Sequence, residues 1–377
     1  MRHHTIPLRA ARYGLAALLA FLFTTAAQAQ ILVGQTVGVT GAVAATVKEA
    51  SVGAMLHLDA VNAAGGIGGQ KIELITLDDK FDTQLTLANA KILIEDKRVV
   101  ALFMTRGTPH TEGIIPLLDQ YGVPLIGPST GAMVLHQPIK PHIFNVRATY
   151  QREAEKAVAH LASIGVTRIA VIHVDDSFGT DALEGTQKGL VTAKLKAVAV
   201  LKFDRSNPDF SALAPTLMKA DPQAVFVIGS GTAVVDGIKA MKAAGSTAQF
   251  VTLSNNASAG FVKLLGDQAR GVIVTQVFPP ERSIAYSIVK DAQDLAKTKG
   301  INDVSPAMLE GFVSAKVLVE GLRRAGSYPT REKLQAALEG LKKFNIGGLE
   351  VSFSPTDHTG LDFADLSIIG TDGKFKR

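Results

Sequence analysis

Residues Leu32-Val33-Gly34-Gln35-Thr36-Val37-Gly38-Val39, then Val47, Ala50, Ala54, Leu58 and Val61, then Lys71-Ile72-Glu73-Leu74-Ile75-Thr76-Leu77, set the pattern for the whole chain. The first and last runs are short and rich in β-formers. The middle set recurs every three or four residues and places one apolar stripe on a helix. Between helix and second strand lies Ala64-Gly65-Gly66-Ile67-Gly68-Gly69. It superficially resembles a dinucleotide loop, but such a loop must follow a strand and open a helix. This one does the reverse, so it reads as a helix C-cap and tight turn.

The unit repeats outward. Strands are expected at Leu32 to Val39, Lys71 to Leu77, Val99 to Phe103, Pro124 to Ile126 and Ile143 to Val146. A second series covers Arg168 to Val174, Ala197 to Phe203, Ala224 to Ile228, Gln249 to Leu253 and Gly271 to Val277. Helical patterns separate them, which implies βαβ units and parallel sheets. Ten strands exceed one compact sheet, so the reading is two doubly wound, Rossmann-like α/β domains. Helix starts are expected where a capping residue precedes proline: Thr108-Pro109, Asn207-Pro208 and Ser305-Pro306.

The first 29 residues read as an export address. Arg2, Arg9 and Arg12 precede an apolar run from Gly14 to Phe23, and small residues end in Ala27-Gln28-Ala29. About ten apolar residues are too few to span a bilayer, which takes roughly 20. Removing those three arginines takes the net charge from +5 to +2. No basic stripe then points to nucleic acid. With no cysteine, neither lipid attachment nor a disulfide is expected, and stability must come from core burial.

In open α/β sheets, ligands bind beyond the carboxyl ends of the strands. After the third strand, Arg106, Gly107, Thr108 and His110 form a donor-rich loop opening a helix, suited to a carboxylate. After the fourth, Gly127-Pro128-Ser129-Thr130-Gly131 matches the nucleophile elbow of serine hydrolases. None of His136, His142, His160, His173 or His358 stands in a triad context, so Ser129 and Thr130 read better as hydroxyls for a ligand. In the second series, Asp175-Asp176-Ser177-Phe178-Gly179 opens a helix with Ser177 as the expected cap, and Phe178 reads equally as a core residue or as an aromatic closing over a ligand. Ser230, Asn255, Gln276 and Tyr150 complete the candidate rim. No cysteine, helical histidine pair or calcium-type loop suggests a metal. No acid/base couple stands out. The economical reading is a binding protein without cofactor.

Three segments carry a family resemblance. They are Val39-Thr40-Gly41 with Asn62 to Gly69, Lys71-Ile72-Glu73-Leu74 and Asp78-Asp79; Tyr121-Gly122-Val123-Pro124-Leu125-Ile126-Gly127-Pro128-Ser129-Thr130; and Asp176-Ser177-Phe178-Gly179. The chain resembles the exported substrate-binding proteins of branched-chain amino acid (Leu/Ile/Val-type) ABC importers. The resemblance implies a type I periplasmic-binding fold: two α/β lobes, a three-segment hinge, and ligand trapped on closure. Crossings are expected at Phe144 to Thr149, Gln276 to Pro279 and Gly347 to Phe353. The lobes would be 30–146 with 279–349, and 147–278 with 350–377.

The resemblance also implies a periplasmic, monomeric receptor delivering an amino acid or carboxylate to a membrane permease. Its ligand carboxylate would meet Thr108, Ser129 and Thr130, with Phe178 as the second-lobe aromatic. Asn255 and Asn256 stand where the family's amino-acid binders place an acid, and Arg106 and His110 are additions. A buried ammonium lacking a counter-charge is costly, so a carboxylate without an α-amino group fits as well or better. Asp175 or Asp176 remains an acidic alternative. A sensory subunit for a membrane receptor and an exported hydrolase using Ser129 are the rival readings.

Overall fold

The structure, a computed structural model, describes residues 30–377. The expected export signal, with cleavage expected after Ala29, lies outside the described residues.

Strand β1 (Ile31–Val37) pairs in parallel with β2 (Ile72–Asp78), from Ile31 opposite Ile72 to Val37 opposite Asp78. Helix α1 (Ala44–Ala63) joins them and buries Val47, Ala50, Ala54, Leu58 and Val61, the stripe read from spacing. It ends at a C-cap on Ala64, and Gly65 and Gly66 turn the chain back with positive φ. Next come α2 (Thr83–Lys91), β3 (Ala101–Phe103), α3 (Thr108–Tyr121), β4 (Leu125–Ile126) and β5 (Ile143–Phe144). The first sheet has the order β2-β1-β3-β4-β5, all parallel.

The second series is α4 (Tyr150–Ser163), β6 (Ile169–Val174), α5 (Ser177–Thr192), β7 (Ala199–Phe203), α6 (Phe210–Ala220), β8 (Ala224–Ile228), α7 (Thr232–Ala243), β9 (Gln249–Thr252), α8 (Ala259–Leu265) and β10 (Ile273–Gln276). Every residue of β6 and β8 is buried, as expected of strands covered on both faces. Helices α9 (Ser287–Thr298), α10 (Pro306–Ala325) and α11 (Arg331–Glu339) return to the first core. There Gly53 of α1 and Gly311 of α10 let two helices meet main chain to main chain. A Cβ on Gly53 would stand 1.9 Å from the Met308 carbonyl, and one on Gly311 1.8 Å from that of Ala50.

The last elements are β11 (Phe344–Asn345), β12 (Glu350–Val351), β13 (Asp365–Ile369) and β14 (Phe375–Lys376). The ten strands read from sequence all form; these four were not foreseen. The second sheet runs β14-β13-β10-β9-β8-β6-β7, with β13 antiparallel to β10 and to β14. It is therefore mixed and not wholly parallel. No helical crossover precedes β13, so it reaches the sheet edge in the opposite sense.

Three other expectations change. Asn207-Pro208 does not start a helix: Asp204 folds that stretch into a turn by accepting from the Ser206 and Asn207 amides, and Asp209 caps α6. At α5 the cap is Asp176, not Ser177, because a carboxylate outcompetes a hydroxyl for the helix amides. Thr108 is the first residue of α3, and Gly107 occupies the cap. Ser305 does cap α10, accepting from the Met308 amide at 3.2 Å.

Phe144, Val146 and Ala148 lie in the first core and Tyr150 in the second. Likewise Gln276 lies in the second sheet while Val277 and Phe278 lie in the first core. Val351, Phe353 and Leu361 pack in the first core, with Phe353 edge-on to Phe144 at 5.3 Å. The chain reaches the second sheet at Asp365.

Candidate functional site

The carboxyl ends of β3 and β4 face those of β6, β8 and β9. Between them lies a continuous set of hydrogen bonds. The Ser129 amide donates to the Thr105 carbonyl at 2.7 Å, which locks the loops after β3 and β4 side by side. The Thr108 and Thr130 hydroxyls are 2.8 Å apart. Arg106 is 3 % exposed. One of its nitrogens donates to Ser129 Oγ at 3.2 Å and the other crosses to the Asn255 carbonyl at 2.6 Å. Asn255 in turn donates to the Gly229 carbonyl and to Ser230 Oγ, both at 3.0 Å. Tyr150 lies beside Thr130, with its ring 4.7 Å from that of Phe178. Phe178 is itself a member of the second core.

Two expected members sit elsewhere. Gln276 spends its amide on Ser367 Oγ at 2.7 Å, tying β10 to β13. His110 stacks on Phe81 at 4.3 Å, where its ring nitrogens make no well-formed hydrogen bond although the Phe81 main chain runs alongside. Burial, with a smaller push from Arg205, lowers its pKa to about 4, so it offers a neutral ring.

Arg147, Glu153 and Glu310 were missed. Arg147 is 1 % exposed and lies in the crossing between β5 and α4. It pairs with Glu153 of α4 and, at 3.3 Å, with Glu310 of α10, and it also donates to Ser254. Burial alone would lower its pKa, but Glu153 and Glu310 more than offset that and raise it. Glu310 also accepts from Ser129 Oγ at 2.9 Å, linking this network to the Arg106 loop. A signal was present: Glu310 interrupts a helix face that is otherwise buried, and Arg147 follows an apolar strand.

Arg106 differs from Arg147. Among the described residues no carboxylate lies within ion-pair distance of it; Glu310 acts on it only through space and through Ser129. Burial lowers its pKa, yet a guanidinium remains charged. Of the two buried guanidiniums, Arg106 is thus the one without a carboxylate in contact among the described residues.

Ser129 is not arranged as a nucleophile. Its side-chain partners are Arg106 and Glu310, not a histidine. The segment after β4 leads only into a single turn at Met133–Leu135, six residues beyond Gly127, and no long helix follows Ser129 directly.

His136 lies beside this network, its Nδ1 2.8 Å from Thr359 Oγ1. Burial, then the charge of Arg147, lowers its pKa to about 4. Folding therefore favours the neutral ring. That contribution is intact above pH 6.5 and is lost as pH falls from 6.5 toward 4. A His136→Gln chain should gain about 2 kcal/mol on the natural chain between pH 7 and pH 4.5. Urea midpoints at the two pH values measure it; an unchanged difference would exclude the assignment.

The two halves also touch around this centre. The Thr232 amide donates to the Ala42 carbonyl at 3.1 Å, and the Met133 amide to Asp181 at 3.0 Å. Ser177, released from capping, donates to Glu112. Toward the outer edge, a cavity of about 420 Å³ is lined by Phe81, Val174, Phe203, Arg205, Pro208 and Ser230, among others.

Comparison with known proteins agrees with this geometry. Residues 30–364 match the model of the periplasmic binding protein family. The Leucine-, isoleucine-, valine-, threonine-, and alanine-binding protein of Pseudomonas aeruginosa is 25% identical over 304 residues, covering 80% of this chain and 79% of that one. An amino acid binding protein of the same species is 25% identical over 231 residues, 61% of this chain and 62% of that one. A substrate-binding periplasmic protein from Ralstonia solanacearum superposes with a TM-score of 0.84 at 31% identity, over 92% of this chain and 99% of that one. The chain belongs to the periplasmic binding protein family, with the type I fold, and is a solute-binding receptor and not an enzyme.

Proposed function

We propose that this receptor works in the periplasm for an ABC importer, capturing a small carboxylate-bearing solute between two closing lobes. The observation that carries the ligand class is Arg106: a buried guanidinium, bonded to both halves, with no carboxylate against it among the described residues. Burying such a charge costs several kcal/mol unless a counter-charge joins it. A ligand carboxylate supplies that charge and, by bridging Arg106, Thr108 and Ser129, favours the closed arrangement over the open one.

The lobes are read as 30–148 with 277–361 and 150–276 with 365–377, the division that follows core membership. The ligand would be an amino acid, as the relatives' names indicate, or a carboxylate lacking the α-amino group. Asn255 and Asn256 after β9 are neutral, which favours the second. A membrane permease as partner and action as a monomer follow from the same reading.

Calorimetric titration with matched pairs tests this: L-amino acids, their deaminated acids, and the corresponding amides. Carboxylates should bind and their amides should not. Equal heats for acid and amide, or none for any acid, would sink the reading.

A further inference from the structure

The two sheets are joined at one side. The first crossing leaves β5, and the other two adjoin β10 and β13. In sheet order, β2 lies at the edge opposite β5, and β7 lies at the edge opposite β14 and β13. If the lobes rotate about the crossings, the loops after β2 and β7 travel farthest. Those two loops meet: the Arg205 guanidinium carbon lies 5.1 Å from the centre of the Phe81 ring.

Each partner is held by its own half. Lys80 and Phe81 are consecutive non-glycine residues in the left-handed region, at φ 53° and 61°. Asp78 and Asp79 keep them there by accepting from their amides, each at 2.9 Å. His110 supports the Phe81 ring by stacking within 13° of parallel. Gly107 leaves room for the stack, since a Cβ there would stand 2.9 Å from Phe81 Cε2 and 2.6 Å from His110 Nδ1. On the other side, Arg205 Nε donates to Asp176 at 2.7 Å, and Asp176 is the cap of α5. Left-handed backbone at two non-glycine residues is costly. The Phe81 ring packs partly against Val37, Val43 and Val47 of its own lobe, and the same left-handed pair aims its face at Arg205.

We propose that Phe81 and Arg205 form a rim latch that sets how long the lobes stay closed. This rests on the closure reading above. Because both groups are fixed before they meet, the contact adds to the closed state with little ordering cost. It does not exist when the lobes part. It therefore slows opening and leaves closing almost untouched.

The chain has no cysteine, so Leu85→Cys with Val191→Cys places dyes on exposed positions of α2 and α5. Single-molecule energy transfer would be recorded in buffer, with L-leucine and with benzoate. Arg205→Met should shorten the closed dwell about fivefold, in line with a partly desolvated cation–π contact, and leave the open dwell unchanged. Phe81→Leu should do the same, the double variant should add nothing further, and Phe81→Tyr should restore the natural dwell. Equal thermal melting of all variants separates a latch from lost folding. Two states whose dwell times ignore Arg205→Met overturn the latch alone. One state under every condition overturns closure and latch together.

Discussion

Arg147→Met should lower the free energy of unfolding by about 3–5 kcal/mol, seen as a lower urea midpoint at unchanged slope. Arg147 is fully buried and is shared by Glu153, Glu310 and Ser254. Removing it leaves two carboxylates facing each other in a dry interior, and that uncompensated charge is the source of the cost. Glu153 keeps the Ser254 amide at 2.9 Å and the Thr275 hydroxyl, which softens the loss on that side. Glu310 keeps Ser129. Arg147→Lys should recover little, because one ammonium lacks the planar fork that reaches three partners at once. A loss below about 1 kcal/mol, the range of exposed ion pairs, would show that water reaches this network.

Arg106→Met should behave in the opposite way. Binding of a carboxylate ligand should weaken about a hundredfold or more, since truncating one side of a buried charge pair costs 2–5 kcal/mol. The urea midpoint of the ligand-free protein should move far less than in Arg147→Met. Arg106 has no carboxylate in contact, so deleting it strands no opposite charge. Calorimetry and denaturation on the same preparation read both effects. Retained affinity with a collapsed midpoint would make Arg106 a structural residue and leave the carboxylate reading without its anchor.

The fold was legible where information is local. The spacing of Val47, Ala50, Ala54, Leu58 and Val61 and the apolar run Ala224 to Ile228 became a helix and a strand because period and burial coincide. Strand β13, by contrast, exposes or half-buries Asp365, Leu366 and Ile368. It is a strand because β10 offers a free edge, and no local pattern announces that. Caps failed for a related reason. Ser177 and Asn207 are good capping residues, but Asp176 and Asp209 stood next to them with stronger acceptors.

The site divided in the same way. Arg106, Thr108, Ser129 and Thr130 were readable because each follows a strand end and the sheet brings strand ends together. Gln276 satisfied the same rule, yet its amide is spent on Ser367, 91 residues away. Glu310 lay in a helix with no loop to mark it, and it entered the site because α10 packs behind the Ser129 segment.

Sequence alone determined the alternation of strands and helices, the two-sheet architecture, and which loops carry donors, since hydrophobic period and turn chemistry act over a few residues. Tertiary structure decided which donors share a centre, that Arg147 rather than Arg106 is ion-paired, where the chain last changes cores, and that Phe81 meets Arg205. Those outcomes depend on distances between residues far apart in the chain, and electrostatics in a dry interior changes sharply over a few ångströms.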